Sequence, residues 1–235
     1  PIQTLKAMGD GIFSNGFELL PFNLNDSGIT SSGDQPSGNN SVCGNSNITA
    51  PQDCHQGHDV AASDADGHAG FAFSKLDANG DELPVAAASW SCVKDNITGL
   101  IWEVKTTAMG VHNNSNVYRW GGISAHGRNH PNRQGSYFDD WNGLLSQSNT
   151  NHYCGASNWR IPTAMELFSI SDLSVSLPAI DGAFFPNTPA QGWFWSALPA
   201  VDSSGRAMVV SADFGSDNFL NRNSSNFVRL VHTQQ

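Results

Sequence analysis

Residues 158–170, NWRIPTAMELFSI, decide the fold because they fix where a helix begins between two groups of predicted strands. Pro162 precedes Thr163, and Glu166 follows that threonine by three residues. Thr163 and Glu166 match a capping box, in which each side chain accepts a hydrogen bond from the backbone amide of the other residue. An apolar run follows directly, so the stretch predicts a helix that begins at Thr163.

A second helix is predicted upstream by the segment SYFDDWNGLLSQSN, residues 136–149. Ser136 is a suitable N-cap, and the acidic residues behind it suit the positive end of the helix dipole. The apolar side chains recur at helical spacing, and these are Phe138, Trp141, Leu144 and Leu145. The segment therefore predicts a short amphipathic helix.

Two apolar runs around a polar turn predict a β-hairpin within residues 85–105, VAAASWSCVKDNITGLIWEVK. Both runs are rich in β-branched and aromatic residues, which are typical of strands. The turn between them contains Asp95, Asn96, Thr98 and Gly99.

The C-terminal part of the chain predicts further short strands. GWFWSAL at 192–198 and RAMVVSADF at 206–214 alternate as strands do, and NFVRLV at 226–231 predicts a last strand. Residues 107–135 have few aliphatic side chains and predict a long loop. Helices and strands are mixed without the alternation of parallel α/β folds, so we expect an α+β fold with two short helices, several short antiparallel strands and long loops.

The N-terminal part of the chain has a different composition. Residues 23–47 are almost purely polar or turn-forming, with too few apolar side chains to offset the entropy lost on ordering. We interpret residues 23–47 as an extended linker or a pinned surface loop, and we divide the chain into an N-terminal extended segment or linker at 1–47 and a folded ligand-binding domain at 48–235. Residues 1–20, with the motif GDGIFSNGFELL, are a candidate docking segment for a filament or another subunit, so a structural pilus-tip or filament subunit is the alternative function. The chain begins at Pro1 without an export leader, so we interpret it as processed or truncated.

The charge composition argues against two classes of partner. Lys and Arg number 11 against 21 Asp and Glu, which gives a formal net charge of −10 at pH 7. Binding to nucleic acid or to an anionic membrane needs clustered basic residues, and the sequence has none. No run of about 20 apolar residues is present for insertion into a bilayer. The surplus of Asn, Ser and Gly is typical of a secreted or cell-surface protein.

The cysteines Cys43, Cys54, Cys92 and Cys154 are even in number, and two disulfides account for them most simply. None of the four cysteines lies in a CxxC pair, so the sequence does not suggest a zinc site. Pairing of Cys43 with Cys54 and of Cys92 with Cys154 combines a short local loop with one long connection. The two other connectivities remain open at this point.

Five motifs follow one another in order along the chain. They are WSCVKDNITGLIWEVKT at 90–106, CGASNWRIPTAMELFSISD at 154–172, PAIDGAFFPNT at 178–188, WFWSA at 193–197 and FVRLV at 227–231. Together, over residues 90–231, they resemble the bacterial family named for the C-terminal domain of the Legionella collagen-like protein. The resemblance implies an adhesion domain of exported bacterial proteins, with glycan binding in some members and retroelement-diversified C-terminal segments in some relatives.

WRIPTAMEL and FVRLV also resemble signatures of formylglycine-generating-type domains, which read RLPTEAEWE and GFRLV. That resemblance implies a C-type-lectin-like fold, in which the last strand can pair with an early one. It also raises the hypothesis of a cysteine-dependent enzyme. Cys92 and Cys154 lie at positions that suit a disulfide, and no serine lies in a GxSxG turn, so we expect no enzymatic activity.

Asp77, Asn79 and Asp81 offer oxygen atoms at alternate positions in DANGDE, as calcium loops do. Gly80 comes too early for the full calcium-loop pattern, and the distal glutamate is missing. Asn79 and Gly80 also form a hairpin turn without any metal. We therefore expect no required cofactor and keep calcium as a candidate ligand.

The segment from Trp193 to Arg229 is the candidate ligand-binding region. Trp193 and Trp195 are candidates for stacking on sugar rings, with burial in the core as the alternative. The polar candidates, which offer hydrogen-bond donors and acceptors, are Arg206, Asp213, Asp217, Asn218, Asn221, Arg222, Asn223 and Asn226. We interpret them as a polar loop between core strands that binds an extracellular glycan or protein. Replacing Asn221, Arg222 and Asn223 together with Ala should then weaken binding and leave the melting temperature nearly unchanged.

Overall fold

The computed structural model of the chain describes residues 25–35, 38–40, 64–121 and 141–233. Within these ranges the chain forms ten strands and two α-helices. The strands are β1 (Ser32–Gln35), β2 (Gly38–Asn40), β3 (Phe73–Leu76), β4 (Glu82–Leu83), β5 (Cys92–Asp95), β6 (Leu100–Glu103), β7 (Trp193–Pro199), β8 (Arg206–Ser211), β9 (Asp217–Asn221) and β10 (Val231–Thr233). The helices are α1 (Asn142–Thr150) and α2 (Ala164–Phe168), and a 3-10 turn spans Tyr153–Gly155. The chain is therefore of mixed α+β class, as expected.

The larger sheet has the strand order β10-β6-β5-β3-β4, and all its neighbouring strands are antiparallel. Val231 of β10 pairs with Trp102 of β6, so the end of the described chain closes on an early strand, as expected. The last strand begins later than NFVRLV suggested. Asn226 and Phe227 instead form isolated bridges with Tyr118 and Phe194.

The smaller sheet has the order β7-β8-β9, again antiparallel. Alternate side chains of its strands enter two different apolar clusters, with Trp195 and Val209 in one and Phe194 and Val210 in the other. Both clusters also include residues of the larger sheet, because successive side chains of a strand point to opposite faces. The central part of each sheet is therefore covered on both faces.

The predicted β5–β6 hairpin is confirmed. The side-chain oxygen Oδ1 of Asp95 accepts hydrogen bonds from the amides of Ile97 at 2.9 Å and Thr98 at 3.2 Å. The amide of Gly99 donates to the Asp95 carbonyl at 2.8 Å. Burial raises the pKa of Asp95 despite these bonds.

The capping box at the start of α2 is also confirmed. The Glu166 amide donates to Thr163 Oγ1 at 3.2 Å, and the Thr163 amide donates to Glu166 Oε2 at 2.7 Å. Arg160 adds two hydrogen bonds to the same carboxylate, at 2.8 and 2.5 Å. Burial opposes ionisation of Glu166, but the bonds from Arg160 and Thr163 lower its pKa overall. The helix is shorter than the pattern suggested, because it ends before Ile170.

Helix α1 agrees in part with its prediction. Trp141 and Leu144 are buried and Leu145 is half-buried, as an amphipathic helix requires. The helix begins at Asn142 with no acidic residue in its first turn. The expected cap Ser136 and the apolar Phe138 lie outside the described residues.

The predicted Cys92–Cys154 disulfide is present and joins β5 to the 3-10 turn, with the two Cα atoms 6.5 Å apart. Beside it, the Asn79–Gly80 turn packs against Cys154 and Gly155 so closely that a Cβ on either glycine would overlap the backbone of the opposite turn. Glycine is therefore required at both positions. Cys43 and Cys54 lie outside the described residues.

Residues 25–30, which precede β1, are packed against the domain. Asn25 and Asp26 are buried, and the Ser27 carbonyl accepts a hydrogen bond from the Leu173 amide at 2.8 Å. This part of the N-terminal segment is thus a pinned loop and not an extended linker. The candidate docking segment 1–20 lies outside the described residues.

The longest of the described helices, α1, has nine residues, and none of the helices in the described ranges has the length and apolar character needed to cross a membrane.

Candidate functional site

Residues Asp217–Asn221 form the edge strand β9, whereas the sequence had suggested a polar loop. The strand pairs antiparallel with β8, with Asn221 opposite Arg206 and Asp217 opposite Val210. Its side chains are exposed apart from the half-buried Leu220. The short polar side chains concealed the strand, because pairing with a buried neighbour and not intrinsic propensity stabilises it.

The predicted ligand-binding residues divide between the two ends of the β8–β9 hairpin. Arg206 and Asn221 lie at one end, and Asp213 follows β8 at the other end, near Asp217. A five-residue strand spans about 17 Å, so these ends are too far apart to form one compact pocket. The candidate site is therefore an elongated surface along β9.

Arg222 links its end of the hairpin to the loop before residue 121. Its guanidinium carbon lies 4.2 Å from the centre of the Trp120 ring, and its Nε donates to the Arg206 carbonyl at 3.1 Å. Arg206 itself forms an exposed ion pair with Asp202 at 2.7 Å. Arg222 thus stabilises this end of the sheet, contrary to the expectation that it has little packing role.

The asparagines of the following turn have structural contacts as well. The Asn221 side-chain oxygen accepts the Asn223 amide at 3.0 Å. Asn226 is buried, and its backbone exchanges hydrogen bonds of 3.0 and 2.7 Å with Tyr118. The expectation that Asn226 lies on the binding surface is therefore wrong. Asn223 Oδ1 and Asn226 Nδ2 are buried and have no hydrogen-bond partner among the described residues.

At the opposite end, Asp213 holds two loops together. Its Oδ1 accepts the Gly192 amide at 2.7 Å, and its carbonyl accepts the Leu177 amide at 3.0 Å. Asp217 and Asn218 are exposed, and Asn218 Oδ1 accepts the neighbouring Phe219 amide at 2.8 Å. No residue of the described ranges hydrogen-bonds the Asp217 carboxylate through its side chain. Among the predicted residues, the exposed polar side chains are Arg206, Asp217, Asn218 and Asn221.

The two candidate stacking tryptophans belong to the core or its margin. Trp195 is completely buried, and its indole Nε1 donates to the Tyr118 carbonyl at 2.7 Å. Trp193 is half-buried and packs against the same cluster. The alternative of core burial is confirmed for Trp195.

The DANGDE segment forms the turn between β3 and β4. The Asp77 side chain accepts the amides of Asn79 at 2.7 Å and Asp81 at 3.0 Å, and these bonds, that from Asp81 foremost, lower the pKa of Asp77. One carboxylate oxygen is thus engaged by backbone amides, as in a metal-free turn. In the described ranges, no group of three or more His, Cys, Asp and Glu side chains is arranged to hold a metal ion.

Sequence reasoning missed a buried ionic cluster at the junction of β6 and the segment before β10. Glu103 Oε1 accepts hydrogen bonds from Lys105 Nζ and His112 Nδ1, each at 2.8 Å. The other oxygen, Oε2, accepts the Leu230 amide at 2.8 Å. Arg229 donates to the Glu103 carbonyl at 2.7 Å.

The electrostatics of this cluster are governed by burial and by close opposite charges. Burial opposes ionisation of Glu103, but Lys105 and His112 lower its pKa to about 2. Burial lowers the pKa of Arg229 to about 10, against the opposing effect of Glu103. Burial likewise lowers the pKa of Lys105 and raises that of Tyr153, on which the His112 ring stacks at 3.9 Å.

A signal for this cluster exists in the sequence. Glu103 and Lys105 stand two residues apart in LIWEVK and so point to one face of a strand, and Arg229 interrupts the apolar run FVRLV. Charged residues inside two strongly apolar strands predict a buried ion pair, because isolated buried charges are unstable.

The fold and its surface define a disulfide-bonded α+β domain that exposes one polar edge strand. The family model of the Lcl C-terminal domain matches residues 91–232, so the chain belongs to this family, as the motifs predicted. Family membership indicates a domain of extracellular or surface proteins that is consistent with ligand interaction. No curated protein and no solved structure matches the chain significantly. The C-type-lectin-like relationship therefore stays a prediction.

Proposed function

We propose that this chain is a ligand-recognition module of an exported bacterial protein, and that it binds an external glycan or protein along β9. The observation that carries the proposal is the combination of an exposed polar strand with a rigid base. Val209 and Val210 of the neighbouring strand are almost completely buried, while the side chains of Asp217, Asn218 and Asn221 face solvent.

Preorganisation supports binding at this surface. The hairpin is held at one end by the Arg222–Trp120 stack and at the other by the Asp213 hydrogen bonds. A surface whose backbone is already fixed loses little conformational entropy when it binds a ligand. The proposal requires no cofactor.

The contacts of the candidate catalytic groups support binding in preference to catalysis. Cys92 and Cys154 are joined to each other, so neither supplies a thiolate nucleophile. The pair of His112 and Glu103 resembles an acid–base dyad, but the glutamate is completely buried and already shared with Lys105. These groups hold two segments of the core together.

The test uses glycan and protein arrays probed with the wild-type chain and with a variant carrying Asp217→Ala and Asn218→Ala. Both side chains are exposed, and within the described structure neither forms a hydrogen bond or ion pair to another element, so we expect a nearly unchanged melting temperature. Loss of contacts at the centre of a binding site should weaken capture by about tenfold or more. Gln147→Ala on the exposed side of α1 is the matched control and should bind normally. Full capture by the double variant would place the site elsewhere.

A further inference from the structure

The outer edge of β9 is unpaired within the described structure. β9 is the last strand of the smaller sheet, and β8 lies on its other side. The opposite edge of that sheet, along β7, is covered. The Phe227 amide donates to the Trp193 carbonyl at 2.8 Å, and the Phe227 carbonyl accepts the Trp195 amide at 2.9 Å. Further along the same edge, the Pro162 carbonyl accepts the Ala197 amide at 2.7 Å. The two edges of the sheet are therefore not equivalent.

The register shows which backbone groups point away from the sheet. Ser211 donates to the Ser216 carbonyl at 2.7 Å and Arg222 donates to the Gly205 carbonyl at 2.9 Å, both in the register of β8 with β9. Hydrogen-bonded and non-hydrogen-bonded pairs alternate in an antiparallel ladder. Ser216 and Arg222 face β8, and so do Asn218 and Leu220, which follow at steps of two residues. The backbone amides and carbonyls of the residues between them, Asp217, Phe219 and Asn221, therefore point outward. Asn218 Oδ1 satisfies one of these amides locally, that of Phe219.

An exposed apolar patch, formed by Leu173, Leu177 and Phe214, continues this edge at the Asp217 end. The three side chains are 46%, 47% and 62% exposed. The Leu173 side chain lies against Gly215, and Leu177 is hydrogen-bonded to the Asp213 carbonyl, so both leucines border the turn that joins β8 to β9. Exposed apolar side chains therefore lie beside the turn at the Asp217 end of this edge.

We propose that the outer edge of β9 binds an extended, basic segment of a partner protein as an added β-strand. This inference rests on the proposed function and names its ligand as a polypeptide and not a glycan. Unpaired strand edges are templates for strand addition, in which main-chain hydrogen bonds supply affinity and alternate side chains supply specificity. The net charge of −10 and the free carboxylate of Asp217 favour basic side chains, and the apolar patch favours apolar ones beyond them.

A second copy of this chain fits the edge less well. Two copies that each carry a net charge of −10 repel one another. A pair of five-residue strands also buries far less than the roughly 1,200–2,000 Å² of a stable protein interface. A peptide segment is neither repelled in this way nor dependent on so large an interface.

The experiment titrates the chain with a decapeptide of alternating lysine and valine. Its controls are the glutamate–valine decapeptide and a lysine–valine decapeptide that is N-methylated at alternate residues. We expect the lysine peptide to bind at least about tenfold more tightly than either control in calorimetry, because the controls lose the charge attraction or the main-chain donors. Amide hydrogen exchange should slow at Asp217 and Asn221 and stay unchanged at Asn218 and Leu220.

The matched variants follow from the register. Asn221→Pro removes an outward amide and should weaken binding of the lysine peptide about tenfold, whereas Asn221→Ala keeps the amide and should retain most of the affinity. Leu220→Pro removes a ladder amide and should destabilise the fold instead. If Asn221→Pro does not fold, Asp217→Lys provides the test, because it should reverse the preference between the lysine and glutamate peptides.

Three results would overturn this inference. The first is absence of peptide binding while a glycan array still responds to Asp217→Ala and Asn218→Ala, which leaves the proposed function intact. The second is absence of any peptide, glycan or protein ligand that responds to these variants, which removes both proposals. The third is dimerisation in sedimentation that is abolished by Asn221→Pro, since the edge would then belong to a second copy.

Discussion

At the scale of single residues, the buried cluster around Glu103 has the largest energetic consequence. One carboxylate accepts hydrogen bonds from Lys105, His112 and the Leu230 backbone without access to water. Removing one partner of a buried ion pair leaves the others uncompensated and costs about 3–5 kcal/mol. Stability at this position therefore depends on a complete set of partners.

Glu103→Gln should lower the free energy of unfolding by about 3–5 kcal/mol at neutral pH, measured by urea denaturation. The folded-state pKa of Glu103 lies at about 2, below its ordinary value of 4.5. Its contribution is therefore complete above pH 4.5 and is lost as the pH falls towards about 2. The variant should show a shallower loss of stability over this pH range. Glu82→Gln at an exposed site is the control, and equal stability of the two variants would contradict the argument.

The contacts of Arg222 change what is expected of substitutions in the turn after β9. Arg222→Ala removes the stack on Trp120 and should lower the free energy of unfolding by about 0.5–1 kcal/mol. Arg206→Ala removes only an exposed ion pair and should cost less. Urea denaturation of both variants tests this order. If the Arg222→Ala variant proves more stable than the Arg206→Ala variant, the stack on Trp120 contributes nothing to the stability of the fold.

At the scale of elements, the start of α2 depends on one reciprocal pair of hydrogen bonds. The helix has only five residues and therefore little stability of its own. Thr163, Glu166 and Arg160 form a single hydrogen-bonded unit at its N-terminus. The position of this helix against β7 and β8 is accordingly sensitive to its cap.

Thr163→Ala should lower the free energy of unfolding by about 1 kcal/mol, because it leaves a helix amide without its acceptor. Thr163→Ser keeps the hydroxyl and should restore most of the loss. Chemical denaturation of the two variants measures the difference. If both substitutions destabilise the domain equally, the threonine methyl group and not the hydroxyl carries the effect.

At the scale of the whole molecule, the Cys92–Cys154 disulfide joins the larger sheet to the segment between the two helices. It closes a loop with a sequence separation of 62 residues. Cross-linking a loop of this length restricts the unfolded chain and contributes about 4 kcal/mol in the chain-entropy model. The disulfide also keeps the Gly155 turn against the Asn79–Gly80 turn.

Replacing Cys92 and Cys154 together with Ser should therefore lower the free energy of unfolding by about 4 kcal/mol, within the usual range of about 2–5. Thermal unfolding with and without reductant measures the loss. The reductant should lower the unfolding temperature of the wild-type chain much more than that of the double variant, which lacks this disulfide. Non-reducing peptide mapping checks the pairing, and free thiols at both positions would contradict it.

The local features and the family of this protein can be predicted from the order of its residues alone. Thr163 and Glu166 predict their helix start, and Asp95 with Gly99 predicts the β5–β6 turn, because each depends on residues a few positions apart. The α+β class and the family followed from the pattern of elements and motifs, and the Cys92–Cys154 pairing was favoured among three connectivities.

Three further facts are visible only in the folded chain: Asp217–Asn221 is an edge strand, Asn226 is buried, and Glu103 contacts Arg229. Each of these facts depends on contacts between segments distant in the chain: β8 provides the ladder for β9, Tyr118 pairs with Asn226, and 126 residues separate Glu103 from Arg229. A polar sequence has no local preference strong enough to reveal such pairing. Burial by distant segments, and not residue type, therefore determines which of these side chains remain available to a ligand.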